Sequence, residues 1–303
     1  MNDKDVLVAI ISGKRPGSSK ERPTENFDIK FKEVIVSNNS EGYETDLEII
    51  NVPKDFENWY KENVKTNDKS FYAPMNRTYA MKYAKMNGYR YLVQLDDNIQ
   101  SLEIAYINGE KTYRTTQNNP HKEEMMQRTL EFMKVVLEET NAGIVGVNLN
   151  EASVPSNEFI RERFVYSLFM MDLERVPDLY HGDFEDDIEF RYKMKQMHVP
   201  MLKINPIRYS KVSQGDKDTT GNRAAYNDAG VERGDTVSKI YGDMFSRGTS
   251  TRGSGTRRTG KEKFRHKLKP FKVGAMVNDW ERVKKEFRDM AGYFAETKEE
   301  KIW

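Results

Sequence analysis

The stretch NRTYAMKYAKMNGYRYLVQLDDN, residues 76–98, decides the fold of this 303-residue chain. It reads as a helix, a glycine stop, a strand and an acidic turn. Pro74 stands where a helix tolerates proline, in the first turn. The spacing predicts a helix over 74–87 with Met75, Tyr79, Tyr83 and Met86 on roughly one face. Gly88 supplies the stop. The run YLVQLD (91–96) is a short buried strand, bounded by turn residues. Asp96, Asp97 and Asn98 stand at its carboxyl end, where α/β sheets bind their ligands.

Working outward, DVLVAII (5–11), EVIVSN (33–38), GIVGVNL (143–149) and the weaker PMLKIN (200–205) repeat the strand signal. Helical patterns lie between and after them. Residues 121–139 would bury Met125, Leu130, Met133 and Val136. A third helix is expected over about 184–197, and a last one over about 278–294 carries Trp280, Val283 and Phe287. Alternating strands and helices predict an α/β fold with a mostly parallel sheet flanked by helices. Residues 213–260 break the rhythm, being rich in Gly, Ser, Thr, Asp and Arg, and read as a long loop. The expected division is a catalytic core over 1–212, a basic flexible segment over 213–270 and a C-terminal helix packed on the core within 271–303.

Charge is segregated along the chain. From Arg247 to Lys269 there are nine Lys or Arg and one acid, Glu262, so this segment carries +8 and the remainder −7, leaving +1 overall. The chain as a whole is therefore no polycation. It has no cysteine, which excludes disulfides, thiolate catalysis and cysteine-bound zinc, and fits a cytoplasmic setting. No apolar run approaches 18 residues, so no membrane span is expected.

Two acidic groups carry the candidate chemistry. Asp96, Asp97 and Asn98 form a hard-oxygen set suited to Mg²⁺ or Mn²⁺. Alone, such a triplet is also an ordinary turn signal. Glu185, Asp186 and Asp187 stand together at a predicted helix start, where the helix dipole favours acids in any case. Around them, Ser12, Lys14 and Arg15 follow the first strand, and Arg77 offers a bidentate fork to phosphate or carboxylate. His121, His181, His198 and His266 show no metal-ligand spacing.

The order of these pieces resembles the nucleotide-sugar half of GT-A glycosyltransferases. The helix bearing Asn76, Arg77 and Ala84 leads through Gly88-Tyr89 to a strand ending Leu95-Asp96-Asp97-Asn98, in the place of an Asp-x-Asp motif. Asn98 departs from that motif by offering an amide. YHGDFEDDIEFRYKM (180–194) resembles the helix-opening ED motif of inverting members, and SGKRP (12–16) resembles the first nucleotide-binding loop. The likeness runs over roughly 5–205. It implies a GT-A-like, Rossmann-type core, a UDP-sugar donor and a divalent metal held by Asp96, Asp97 and Asn98. It also implies donor contacts from Ser12, Lys14, Arg15, Arg77 and Asp96. Asp186 would be the base that takes the acceptor proton, with Glu185 and Asp187 beside it. In a retaining reaction Asp186 would only position.

Within that family the chain resembles phage DNA glycosyltransferases of the TET-associated type, which decorate 5-hydroxymethylpyrimidines, including by arabinosyl transfer. On this resemblance the acceptor is double-stranded DNA bearing 5-hydroxymethylcytosine, in the cytoplasm of a host cell. Arg247, Arg252, Arg257, Arg258, Lys261 and Lys263 would contact its phosphates, and Tyr166, Phe169 and Phe184 are candidates to line the acceptor pocket. Two other classes stay open: transfer to a glycan, protein or small molecule, and a metal-dependent nuclease or other phosphoryl-transfer enzyme using Asp96, Asp97, Asp186 and Asp187.

Overall fold

The computed structural model describes residues 3–13, 15, 21–64, 72–108, 111–115, 119–149, 159–177, 186–212, 246–249, 262–265 and 273–294. Strand β1 (Val6–Ile11) lies inside the sheet, third from one edge, and all six of its residues are buried. It pairs in parallel with β2 (Lys32–Ser37) on one side and β4 (Tyr91–Asp96) on the other, and β2 pairs in parallel with β3 (Glu48–Asn51). A strand paired on both edges and covered on both faces is apolar at every position. The pleat sorts β1 accordingly. Val6, Val8 and Ile10 enter one core layer, and Leu7, Ala9 and Ile11 enter the other.

Beyond β4 the sheet continues through β9 (Leu168–Asp172), β7 (Ile144–Leu149), β10 (Met201–Lys211), β5 (Ile99–Asn108) and β6 (Lys111–Arg114), with β8 (Ile160–Glu162) also on β10. Strand β9 runs against β4 and β7, so β7 runs with β4, and β10 runs with β7. Strands β5 and β8 oppose β10, and β6 opposes β5. Seven of the ten strands therefore share one direction. The fold is α/β with a mostly parallel sheet, as expected.

Helices α1 (Lys54–Asn63), α2 (Tyr72–Met86) and α4 (Asp186–Gln196) cover one face, through Phe56 and Tyr60, Met75, Ala80, Met81 and Ala84, and Phe190 and Met194. Helices α3 (Met125–Glu138) and α5 (Trp280–Phe294) cover the other. Leu130, Met133 and Val136 of α3 meet the sheet there with Val283, Phe287 and Phe294 of α5. The buried stripe of α2 differs from the expected one. Met86 is exposed, and Tyr79 and Tyr83 are only partly covered. Small side chains at Ala80 and Ala84 let the helix sit close to β1 and β4, so the tyrosines flank the contact instead of filling it.

The stop of α2 follows a Schellman pattern. Tyr89 N–H bonds to Ala84 O at 3.0 Å and Gly88 N–H to Lys85 O at 3.1 Å, with Gly88 at φ +76°. Within the basic segment, the described residues are an antiparallel ribbon of β11 (Ser246–Thr249) and β12 (Glu262–Arg265), with Gly248 opposite Lys263. Among the described residues, no helix is long and apolar enough to cross a membrane.

Candidate functional site

Strand β4 ends at Asp96, turns through Asp97 and Asn98, and becomes β5 at Ile99. A buried threonine fixes this turn. The Thr24 hydroxyl lies 2.9 Å from the Asp96 carbonyl and 3.2 Å from that of Ile99, and it accepts the Ile99 N–H at 3.1 Å. Since β5 starts here and pairs with the end of β10, Ile99 lies opposite Lys211. This topology brings Lys211 to Asp96.

Three cations and a serine converge on the two acids. Arg77 and Lys211 each donate to Asp96, one to Oδ1 and the other to Oδ2. Ser12 Oγ donates to Asp97 Oδ2 at 2.7 Å, and Arg15 Nη1 to Asp97 Oδ1 at 2.7 Å. With the Ser12 proton committed, Tyr43 donates its own to Ser12 Oγ at 2.8 Å while accepting the Arg15 N–H at 3.1 Å. Asn76 Nδ2 holds Ser12 O at 2.9 Å, and Gln94 Nε2 holds Arg77 O at 3.0 Å. The ends of β1, β4 and β10 and the first turns of α2 are thus tied together.

Electrostatics separate the two acids. Burial pushes the Asp96 carboxyl up, but Lys211 and Arg77 outweigh it. With hydrogen bonds from Lys211 and Ser167, they hold it well below the usual carboxylate range. At Asp97 burial wins. Arg15 and Ser12 pull down and neighbouring Asp96 pushes up, and the net shift is upward. Counting Arg15, Arg77 and Lys211 against the two carboxylates gives +1, a site prepared for an anion.

A hard divalent cation fits the donor set in kind. Asn98 Oδ1 is buried with no hydrogen-bond partner among the described residues, an acceptor open to a ligand. The carboxylate oxygens are already engaged, so a cation enters only by exchange with Arg15 or Lys211. Among the described residues no three His, Cys, Asp or Glu side chains converge.

The expected site residues thus fall into three groups. Ser12, Arg15, Arg77, Asp96, Asp97 and Asn98 come together. Asp186 and Asp187 open α4, as a helix-starting ED motif would, but their side chains, like those of Arg247 and Lys263 on the ribbon, lie outside the description. Lys14, Glu185, Arg252, Arg257, Arg258, Lys261, Phe184, His181 and His266 lie outside the described residues. Phe169 is buried in the core. Tyr166 stacks on Arg191, 3.6 Å from ring centroid to guanidinium.

Sequence reasoning missed Lys211, Thr24, Tyr43 and Ser167. Thr24, in a 3-10 turn, and Lys211, 115 positions from its partner, carry no local signal. Ser167 held one: it lies between aromatic and apolar residues at φ +56°, a backbone state that polar residues of turns tolerate better than the others there.

Comparison with known proteins bears on this site. No curated protein matches the chain at a significant level. Among solved structures, a protein assigned as a nucleotide-diphospho-sugar transferase from Desulfovibrio desulfuricans G20 is 9% identical at a TM-score of 0.35, over 78% of this chain and 98% of that one. Glucosyl-3-phosphoglycerate synthase from Mycobacterium tuberculosis, solved with Mn²⁺, UDP and glucosyl-3-phosphoglycerate, is 7% identical at a TM-score of 0.38, over 91% and 90%. These are distant likenesses. The model of one family, by contrast, matches residues 13–223, most of the chain and all of the cluster around Asp96 except Ser12. The chain belongs to the TET-associated glycosyltransferases, enzymes of the GT-A type.

Proposed function

We propose that this glycosyltransferase moves a sugar from a UDP-sugar to the hydroxymethyl group of 5-hydroxymethylcytosine in phage DNA. The convergence of Ser12, Arg15, Arg77 and Lys211 on Asp96 and Asp97 carries the donor half of this reading. The family description and the +8 segment from Arg247 to Lys269 support the acceptor half.

Arg15 and Lys211 keep about a quarter of their side chains exposed, and Arg77 a tenth. The first two swing from their acids to the donor diphosphate. Arg77 stays and keeps Asp96 ionised. Asp97 and Asn98, with Asp96, would hold a divalent cation, which when bound neutralises charge on the leaving nucleoside diphosphate. Asp186 takes the acceptor proton as the new bond forms, with Glu185 and Asp187 orienting it. Lys14 adds charge to the donor loop. Arg247, Arg252, Arg257, Arg258, Lys261 and Lys263 hold DNA phosphates.

The test incubates the protein with Mn²⁺, a panel of UDP-sugars and hydroxymethylated DNA, followed by mass analysis of the nucleosides. Sugar addition is expected from one donor, and Asp186→Asn and Asp97→Asn should each lower it by roughly 10²-fold or more. Full transfer by both variants would overturn the site. No addition to DNA, alongside activity on another acceptor, would overturn the acceptor.

A further inference from the structure

A second concentration of positive charge lies on the sheet face beneath α4. Lys203 of β10 is paired with Arg161 of β8, so their side chains leave the same face of the sheet. On the other side of Lys203 stands Gly146 of β7. The chain crosses directly over that glycine: a Cβ there would meet Val165 Cβ at 2.6 Å and Leu168 O at 2.9 Å. The crossing segment brings Phe164 and Tyr166 to α4. Besides its stacking on Tyr166, the Arg191 guanidinium is 5.5 Å from the Phe164 ring. The Lys195 amine is 5.2 Å from Phe164, and the Lys203 amine 5.6 Å from Tyr166. Arg163 is exposed on the same segment.

Three cations thus contact two aromatic rings, and two more, Arg161, which donates to Asn205 Oδ1 at 3.3 Å, and Arg163, stand on the neighbouring strand and segment. The acids on these elements are Asp186 and Asp187, which open α4 and whose side chains are not described, Glu189, buried on α4, and Glu162, which accepts the N–H groups of Val273 and Gly274 at 2.7 and 3.1 Å and whose charge also acts on Lys195. Crowding shows in the Lys203 amine, pushed down to about 8 by burial and then by Arg191, Arg161 and Arg163. Gathering like charges costs folding free energy, and an arriving polyanion relieves it.

We propose that Arg161, Arg163, Lys195 and Lys203 form a ledge for the phosphates of the acceptor DNA strand, at a distance from the modified nucleotide, with Arg191 and Tyr166 as its buried support. The inference rests on DNA being the acceptor. Lys211 lies eight positions beyond Lys203 on β10, but a bulge between Ile204 and Arg208 shortens the run: three β7 steps from Gly146 to Leu149 and two further strand residues make the span roughly 16 Å. One donor diphosphate does not bridge that gap, whereas a nucleic-acid backbone repeats its phosphates along it.

The test measures binding of the full chain to a labelled hydroxymethylated duplex across a salt series. The proteins are wild type, R163E/K195E, R161Q/K203Q and the control K285E, whose exposed lysine lies on α5 on the opposite face. Thermal unfolding checks each fold. Both ledge variants should bind about tenfold or more weakly, with the log–log salt slope shallower by roughly 2. In transfer assays the loss should fall on KM for DNA and not on KM for the sugar donor, and K285E should match wild type. Wild-type affinity and slope in both ledge variants would overturn the ledge, as would an equal loss in K285E. A wild type that ignores DNA while glycosylating another acceptor would overturn the acceptor reading, and the ledge with it.

Discussion

Lys211 and Asp96 form an ion pair between the last residues of two strands that are not sheet neighbours. It exists because β5 leaves β4 through a tight turn and returns beside β10. The pair places a cation where the donor phosphates are expected, at the cost of occupying an acid that a metal would want.

This competition is measurable. Lys211→Ala frees Asp96 Oδ2, so a Mn²⁺ titration followed by thermal shift should reach half-saturation at lower metal concentration than in wild type. Sugar transfer should nonetheless fall, by roughly 10²-fold, because a preorganised cation at the diphosphate is lost. Unchanged metal response together with unchanged transfer would remove Lys211 from the site.

Asp96→Asn acts differently from Asp97→Asn. Asp96 is the strongly ionised member, facing Arg77 and Lys211, so its neutralisation takes the Asp96 charge away from a mostly buried arginine. A loss of about 3 kcal/mol in urea-unfolding stability is expected at pH 7. Asp97 is already pushed toward its neutral form, so Asp97→Asn should cost clearly less stability while still abolishing transfer.

Glu33 on β2 gives the molecule a pH dependence. Burial, then Asp28 and Glu25, raises its carboxyl to about 7. The folded state therefore holds a proton that the unfolded chain has released. This contribution is fully present below about pH 4.5 and is lost as pH rises through about 7. Glu33→Gln should leave stability unchanged at pH 4 and raise it at pH 8 by on the order of 1–3 kcal/mol, read from denaturant midpoints.

Gly88→Ala probes the stop of α2. At φ +76° an added Cβ meets no neighbouring atom, so the expected loss of about 1 kcal/mol comes from backbone strain alone. A neutral result would mean that the Schellman turn gives way without consequence for Arg77, one face of the same helix.

The elements that carry a strong local pattern were legible in the sequence. Strand β4 was read to the residue, and β1, β2 and β7 to within one or two. Helix α1 was missed, although Phe56 and Tyr60 bury its inner face, because its polar residues mask a short apolar stripe. Strand β9 was missed because LFMMD follows directly on a crossing segment, with Ser167 as the one turn signal between. At the site, residues adjacent in sequence to the acidic turn or to β1 were found. Lys211, Thr24 and Tyr43 were not, since each acts through a partner dozens of positions away, and only the order of the sheet makes them neighbours.

Thr24 carries one more consequence. Its hydroxyl welds the loop after β1, which bears Ser12 and Arg15, to the turn at Asp96–Ile99. These two peptides are a single exchangeable part. A chimera that imports a relative's first loop to change donor preference must import the matching turn as well, or arrive with a mismatched joint.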